Sequence, residues 1–473
     1  MATPTITPPP PPAMLPPQPP IGPRRRSLAG PVVLISLGVL FLLGNMGILD
    51  RYTLFNAFAR YWPLLLILWG VIKLFEGWQA QREGYRAPGI GGGGVVLLIF
   101  VAIVGFAASG ILKFGPELQG NFPDGDFPIL FGNKYTYTDS NSAAFPAGAS
   151  LRVVNDRGDI KVTPSNDDQV HVVTNYVIVA RSDSDAQRMR GARTPTFSNE
   201  GSILLLSSTG TQGVENANYA RVNIEVQVPR KAAADLQTMR GDVRVIGRDG
   251  DVKMQTSRGD AQVEEVNGKA EVHLRHGDIT ARKVSGNVSI EGSVSDCTVA
   301  DVGGQVELRG DYYGSINVSR VPNVVRFNSA RTDLEITKLD GEMRMESGDL
   351  HVSSMNGPVT LRTRSKDVHF DALTGDLTLD DSNGEVEVHV KAPVGNIDIN
   401  DRNGQVRITL PEKAAFSLDA ETRNGEIRSD FSEVKIENVH DINHASGRVG
   451  TGGGTVRLRT EHGDIEIRKS TTP

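Results

Sequence analysis

The sequence predicts an all-β solenoid with about 18 residues and two short strands per coil, preceded by an α-helical transmembrane region. Three observations predict it. From Gly241 the chain reads GDVRVIGRD, GDVKMQTSR, GDAQVEEVN, GKAEVHLRH, GDITARKVS, GNVSIEGSV, SDCTVADVG, GQVELRGDY, eight nine-residue units without an insertion, and such a fixed period marks a stacked repeat. The third and fifth residues of each unit are small or apolar, as in Val243 with Val245 and Ala261 with Val263, so each unit is one strand with one inward pair. Two long apolar runs, 28–49 and 94–112, have the length needed to cross a bilayer.

Taken in order, residues 1–27 form a proline-rich tail, expected to be disordered or polyproline II and cytoplasmic. It lacks the basic-then-apolar order of a secretory signal. Residues 28–112 form the transmembrane region, with three helices expected. The middle segment, 61–75, has a short apolar core marginal for a crossing, with Tyr61, Trp62 and Trp69 suited to the interface and Lys73 able to snorkel. Two crossings with a shallow middle segment is the competing arrangement. With three crossings and the N-terminus inside, Arg24, Arg25, Arg26, Lys73, Arg82 and Arg86 lie inside, against Arg51, Arg60 and Lys113 outside. The repeats then lie across the membrane from the N-terminus.

Residues 113–146, rich in Gly, Pro, Asp and Asn, read as a juxtamembrane linker, and 147–240 as an N-terminal β cap carrying the first strands. Residues 241–430 are the regular β-solenoid. Within them the eighth residue is apolar in alternate units, Val266, Val284 and Val302, and polar between them, Ser257, Arg275, Ser293 and Asp311, so two units make one coil. The phase returns at Gly348, with Leu350, Val359, Val368, Leu377 and Val386 third in their units and Met355 and Leu373 eighth. Residues 431–473 lose strict timing before Val456, Leu458, Ile465 and Ile467 restore it, which reads as closing coils. Coils of this kind stack about 4.8 Å apart and are stable only through their neighbours. A plain antiparallel meander is the competing architecture.

Composition narrows the function classes. A net charge of -6 and spread charges leave no basic footprint, so no nucleic-acid partner is expected. The single cysteine, Cys297, excludes an intrachain disulfide and sits at a core-facing repeat position, as a small hydrophobe would.

Residues 30–76, with GPVVLISLGVLFLLGNMGIL and YWPLLLILWGVIKLFEG, resemble the transmembrane domain of bacterial LiaF-like envelope-stress proteins. Residues 149–469, with NDRGDIKV, TMRGDVRV, ESGDLHV and EHGDIEI, resemble the bacterial adhesin-like domain of β-solenoid type. The resemblance implies a protein of the bacterial inner or cytoplasmic membrane with a periplasmic or extracellular solenoid. It supplies no catalytic residue or cofactor, and its LiaF-like part would imply regulation of a membrane kinase pathway.

The chemistry of the residues points the same way. Gly-Asp pairs invite a calcium reading, but the units lack the G-G-x-G-x-D spacing of calcium rolls, and Asp242, Asp260, Asp278 and Asp296 are expected to stack on one solvent edge instead. His351 and His369 occupy the fourth unit position one coil apart and are expected to form an exposed ladder. With no cysteine or third histidine at that position, no metal site is assigned. GIGGGGV at 89–95 lacks the lysine and hydroxyl of a phosphate-binding loop and reads as a flexible entry to the last membrane run. No catalytic, cofactor or metal residue is therefore named, and no enzyme is expected. The leading functional expectation is a membrane-anchored noncatalytic envelope scaffold or interaction protein. The alternatives are an envelope-stress sensor acting on a membrane signalling partner and a surface adhesin binding a glycan or protein.

Overall fold

The computed structural model describes residues 51–83, 92–118, 133–180, 182–208, 220–439 and 442–470, with isolated positions 35, 38, 39 and 42. The chain divides into an N-terminal unit, Met1–Asn133, and a larger unit, Lys134–Pro473. The tail and most of the first apolar run lie outside the described residues.

In the first unit, helix α1 spans Arg51–Glu83 and helix α2 spans Gly92–Leu118. The middle segment, expected to be marginal, lies inside a 33-residue helix whose window Ala57–Phe75 is long and apolar enough to cross a membrane. The reason is local: Ala57, Phe58 and Ala59 extend the apolar core, and Pro63 is accommodated inside the helix. The end of the glycine-rich stretch is already helical, since α2 begins at Gly92. The two helices meet where Trp62 Nε1 donates to Ser109 Oγ at 3.0 Å and the Ser109 hydroxyl lies 2.7 Å from the Ala59 carbonyl and 2.8 Å from that of Gly105. Gly105 permits the approach, because a Cβ there would stand 2.3 Å from the Trp62 ring. Elsewhere the helices expose Leu64, Ile67, Val71, Ile99, Ile103 and Phe106, a pattern that fits lipid and not water.

In the second unit the chain winds between two sheets. One carries, from its outer end inward, strands Asn133–Ala144, Gln169–Ala180, Ala220–Val228, Ile160–Pro164 and Val243–Arg248, then every second strand of the repeat. The other carries Thr196–Glu200, Ile203–Ser207, Ser150–Arg157, Ala234–Arg240, Val252–Thr256 and the alternate strands. Parallel partners lie 18 residues apart, as in Ala261↔Ile279 and Val252↔Ala270, which is the predicted two-strand coil. Third and fifth residues line the core throughout: Val243, Val245, Val263, Ala281 and Val299 are fully buried.

The alternation of eighth residues has a backbone cause. Gly247, Glu265, Lys283, Asp301 and Arg320 all adopt left-handed φ between 51° and 68°, and each turns the next residue, Arg248, Val266, Val284, Val302 or Val321, into the core. Four of the five carry a side chain at a conformation that favours glycine. Their charges alternate along the column, with Lys283 Nζ 3.1 Å from Glu265 and Arg320 Nε 2.5 Å from Asp301. Such exposed pairs contribute at most about 1 kcal/mol each. Ser354 and Ala372 repeat the device before Met355 and Leu373.

Two departures break the regular stack. Strand Thr332–Met345 runs antiparallel to its neighbours on both sides, pairing with Ile316–Val321 and Val325–Asn328 before it and with Asp349–Ser353 and Met355–Thr363 after it. At the far end, sequence order is not stacking order. The final strands Gly454–His462 and Ile465–Ser470 insert between Val386–Asn403 with Val406–Pro411 on one side and Phe416–Asn424 with Ile427–Ser429 on the other. The end of one sheet is instead formed by Ile442–Val449 and Val434–Val439.

Candidate functional site

The Gly-Asp turns hold the stack together. Each carboxylate accepts a hydrogen bond from the backbone N–H one coil on: Asp242 N–H to Asp159 at 3.0 Å, Asp260 to Asp242 at 2.9 Å, Asp278 to Asp260 at 2.8 Å, Asp296 to Asp278 at 3.2 Å. The aspartates form the expected edge column, and their oxygens are engaged by amides. Burial, and secondarily the neighbouring Asp242 and Asp278 charges, hold Asp260 above the usual carboxylate range, against the opposing effect of the Asp278 amide. Cys297 is completely buried and desolvation pushes its thiol pKa up, so it is an inert core residue.

A second column lies inside one corner. Thr238 and Thr256 donate to the carbonyls of Gly158 and Gly241 at 3.3 and 3.2 Å, and Thr422 and Thr460 to those of Gly463 and Gly404 at 2.9 and 3.3 Å. Asp381 and Asp401 occupy the same corner, where Asp401 registers with Thr460. Burial, reinforced by the Asp381 charge, raises the Asp401 pKa to about 6 while the amides of Arg402 and Asn403 only partly compensate. A third buried polar group, Arg248, stands where later coils have valine. It donates to the carbonyls of Gly247, Pro229 and Val228, each at 3.0 Å, and desolvation lowers its pKa to about 10.

Two surfaces offer recognition chemistry. Where Thr332–Met345 reverses, a cleft of about 770 Å³ is lined by Tyr312, Tyr313, Phe327, Arg331, Glu346 and Lys366. The Tyr312 ring leans on Phe327 at 5.3 Å, and Lys366 Nζ donates to the carbonyls of Glu346 and Ser347. The other surface is the outer face of the coils at 349–389. His351 and His369 register with each other and stack with centroids 5.2 Å apart, the ladder read from their spacing. A third histidine joins them, which the one-position comparison missed: His389 lies 5.8 Å from His369, ring to ring. The signal was present, since Asp371 and His389 are one coil apart and each stands two residues beyond His369 or its partner Glu387, hence on the same face. Asp371 lies 3.4 Å from His351 Nε2, 3.8 Å from His369 Nε2 and 2.9 Å from His389 Nδ1, and Glu387 lies 3.1 Å from His369 Nδ1. Arg407 stands at the border of this face, held by Glu385 at 2.9 Å and Glu466 at 3.0 Å.

Comparison with known proteins places this architecture. The family model described as Toastrack DUF4097 matches residues 150–468, more than half of the chain. The chain belongs to the Toastrack DUF4097 family. A second model, the LiaF transmembrane domain, matches residues 29–122 ahead of the Toastrack solenoid. Among solved structures, an adhesin-like protein from Parabacteroides distasonis is 12% identical, with 71% of this chain and 97% of that one covered and a TM-score of 0.25. A cell-adhesion-like protein from Clostridium sporogenes is 10% identical, with 71% and 100% covered and a TM-score of 0.19. No curated protein matches the chain. The LiaF domain anchors the chain in the bacterial inner membrane, the Toastrack solenoid is extracytoplasmic, and both families are noncatalytic.

Proposed function

We propose that this protein is an envelope-stress sensor whose Toastrack solenoid responds to conditions outside the cytoplasm and whose LiaF-type helices act on a membrane signalling partner. The observation that carries the reading is the union of the two domains in one chain: a LiaF transmembrane domain at 29–122 followed by the solenoid at 150–468. A scaffold needs only an anchor. Here the helices have a built contact at Trp62, Ser109 and Gly105, and they leave Leu64, Ile67 and Val71 exposed to meet a partner within the bilayer. The partner class that fits is a membrane kinase or comparable signalling protein, and the solenoid supplies an extended face for many weak contacts.

The test is photo-crosslinking in cells from Leu64, Ile67 and Val71, with and without envelope stress. The expected result is a membrane signalling protein whose capture changes with stress and whose output is lost on deletion of residues 29–122. An intact stress response after that deletion sinks the reading.

A further inference from the structure

We propose that the outer face formed by His351, His369 and Asp371 is a binding site for one divalent transition-metal ion of the zinc class, linking two successive coils of the solenoid. This goes beyond the sensor reading and does not depend on it. His351, His369 and Asp371 each offer a ligand atom, and the three atoms lie within 4.8 Å of one another. His351 Nε2 lies 3.4 Å from Asp371 Oδ2 and His369 Nε2 lies 3.8 Å from the other oxygen, Oδ1, against an edge of about 3.4 Å for a tetrahedron with Zn–N and Zn–O bonds of about 2.0–2.1 Å. Small side-chain rotations complete the approach.

Groups behind the ligands are placed as a metal site requires. Glu387 sits 3.1 Å from His369 Nδ1. A proton on Nδ1, facing that carboxylate, would leave the Nε2 lone pair for the ion, the carboxylate–histidine arrangement that orients metal-bound imidazoles. His389 lies between the two carboxylates, its Nδ1 2.9 Å from Asp371 Oδ1 and its Nε2 hydrogen-bonded to Glu387 Oε1 at 3.3 Å. The backbone beneath is fixed, because Leu350, Val352, Val368 and Phe370 are buried on the opposite side of the same paired strands. Two cations border the site and both are engaged by carboxylates: Arg344, in register with His351, is held by Glu346, and Arg407 is held by Glu385 and Glu466 and reaches Glu387 at 3.6 Å. Two imidazoles and one carboxylate suit zinc better than calcium or magnesium, which require oxygen ligands. The fourth position faces solvent and is filled by water.

The test uses the full chain in lipid nanodiscs, stripped with a chelator and titrated with zinc chloride alone in a calorimeter. The expected result is one saturable site of micromolar or tighter affinity, weakened at least about tenfold by His369→Ala and by Asp371→Asn. Glu387→Gln, which leaves all three ligands in place, should weaken it by a smaller factor. His171→Ala and His444→Ala, at histidines paired with Asp167 and Asp419 elsewhere on the solenoid, should leave it unchanged. Circular dichroism of each metal-free variant checks that the coils are intact. No saturable binding, or binding that survives both ligand substitutions in folded protein, overturns the site; loss of signalling without loss of zinc bears only on the sensor reading.

Discussion

Replacing Gly277 by alanine tests how tightly successive coils are stacked. Gly277 has φ +145°, and a Cβ there would stand 2.2 Å from the carbonyl oxygen of Gly259 in the coil before. That oxygen belongs to a backbone whose own approach to the preceding coil is equally close, since a Cβ on Gly259 would meet the Gly241 oxygen at 2.3 Å. Relief requires the two coils to part by roughly 1 Å, enough to break about two ladder hydrogen bonds at about 1 kcal/mol each. Forcing alanine to that φ adds about 1–3 kcal/mol. The sum is about 3–5 kcal/mol. Two other glycines separate the contributions. Gly148 has φ +74° with open space around it, so Gly148→Ala should cost only the backbone strain, about 1–2 kcal/mol. Gly348 has neither constraint, and Gly348→Ala should be neutral or stabilising by up to about 0.5 kcal/mol. The assay is urea unfolding followed by far-UV circular dichroism, because Trp62, Trp69 and Trp78 all lie in α1 and leave the solenoid without a tryptophan reporter. Hydrogen exchange at 259–296 locates the damage. If Gly277→Ala unfolds within about 0.5 kcal/mol of Gly348→Ala, the stacking argument is wrong.

Burial holds the Asp401 carboxyl pKa at about 6, above its unfolded value, so the folded state binds the proton more tightly and stability falls as pH rises through about 6. Asp401→Asn should raise stability by up to about 3 kcal/mol at pH 7.5 and by about 1 kcal/mol at pH 4.5, and equal gains at the two pH values in thermal melts would refute this. Arg248→Met removes the guanidinium from the carbonyls of Gly247, Val228 and Pro229, of which the last two keep backbone donors from Ser165 and Ala232, and a loss of about 1–3 kcal/mol is expected in urea midpoints; a stabilised variant would show that desolvation of the charge outweighs its hydrogen bonds. Val263→Asp places a carboxylate at a fully buried position and should open the surrounding coils, read as loss of hydrogen-exchange protection in 243–284, while unaltered protection would contradict the inward assignment.

The 18-residue coil and its core were legible because they depend on local period: Val243 and Val245 announce the inward face whatever their neighbours are. The corner column was only half legible. Val266, Val284 and Val302 marked where the chain turns inward, yet nothing about Glu265, Lys283 or Asp301 signals left-handed backbone, because their conformation is imposed by the stacked coils and not by their own preference. The antiparallel strand at Thr332–Met345 and the inserted final coil were not legible, since both are choices of partner far along the chain that the same apolar pattern permits. At the outer face, His351 and His369 followed directly from the period. His389 was missed because the comparison ran along one repeat position and not across the sheet, where residues two apart share a side.

The inserted final coil also sets an order of events. A chain anchored at its N-terminal side emerges on the far side of the membrane from that end first, and its early coils can assemble in sequence as they appear. Residues 416–429 cannot settle on the stack in this way, because the strands on which they rest, 454–470, arrive after them. Until then the stack ends at 397–411 with its ladder groups open to water, and the strands of 416–449 can pair only with one another. Strands 454–470 thus close the stack around residues that precede them, and a polypeptide halted or clipped before 454 would carry a sticky strand edge into the envelope.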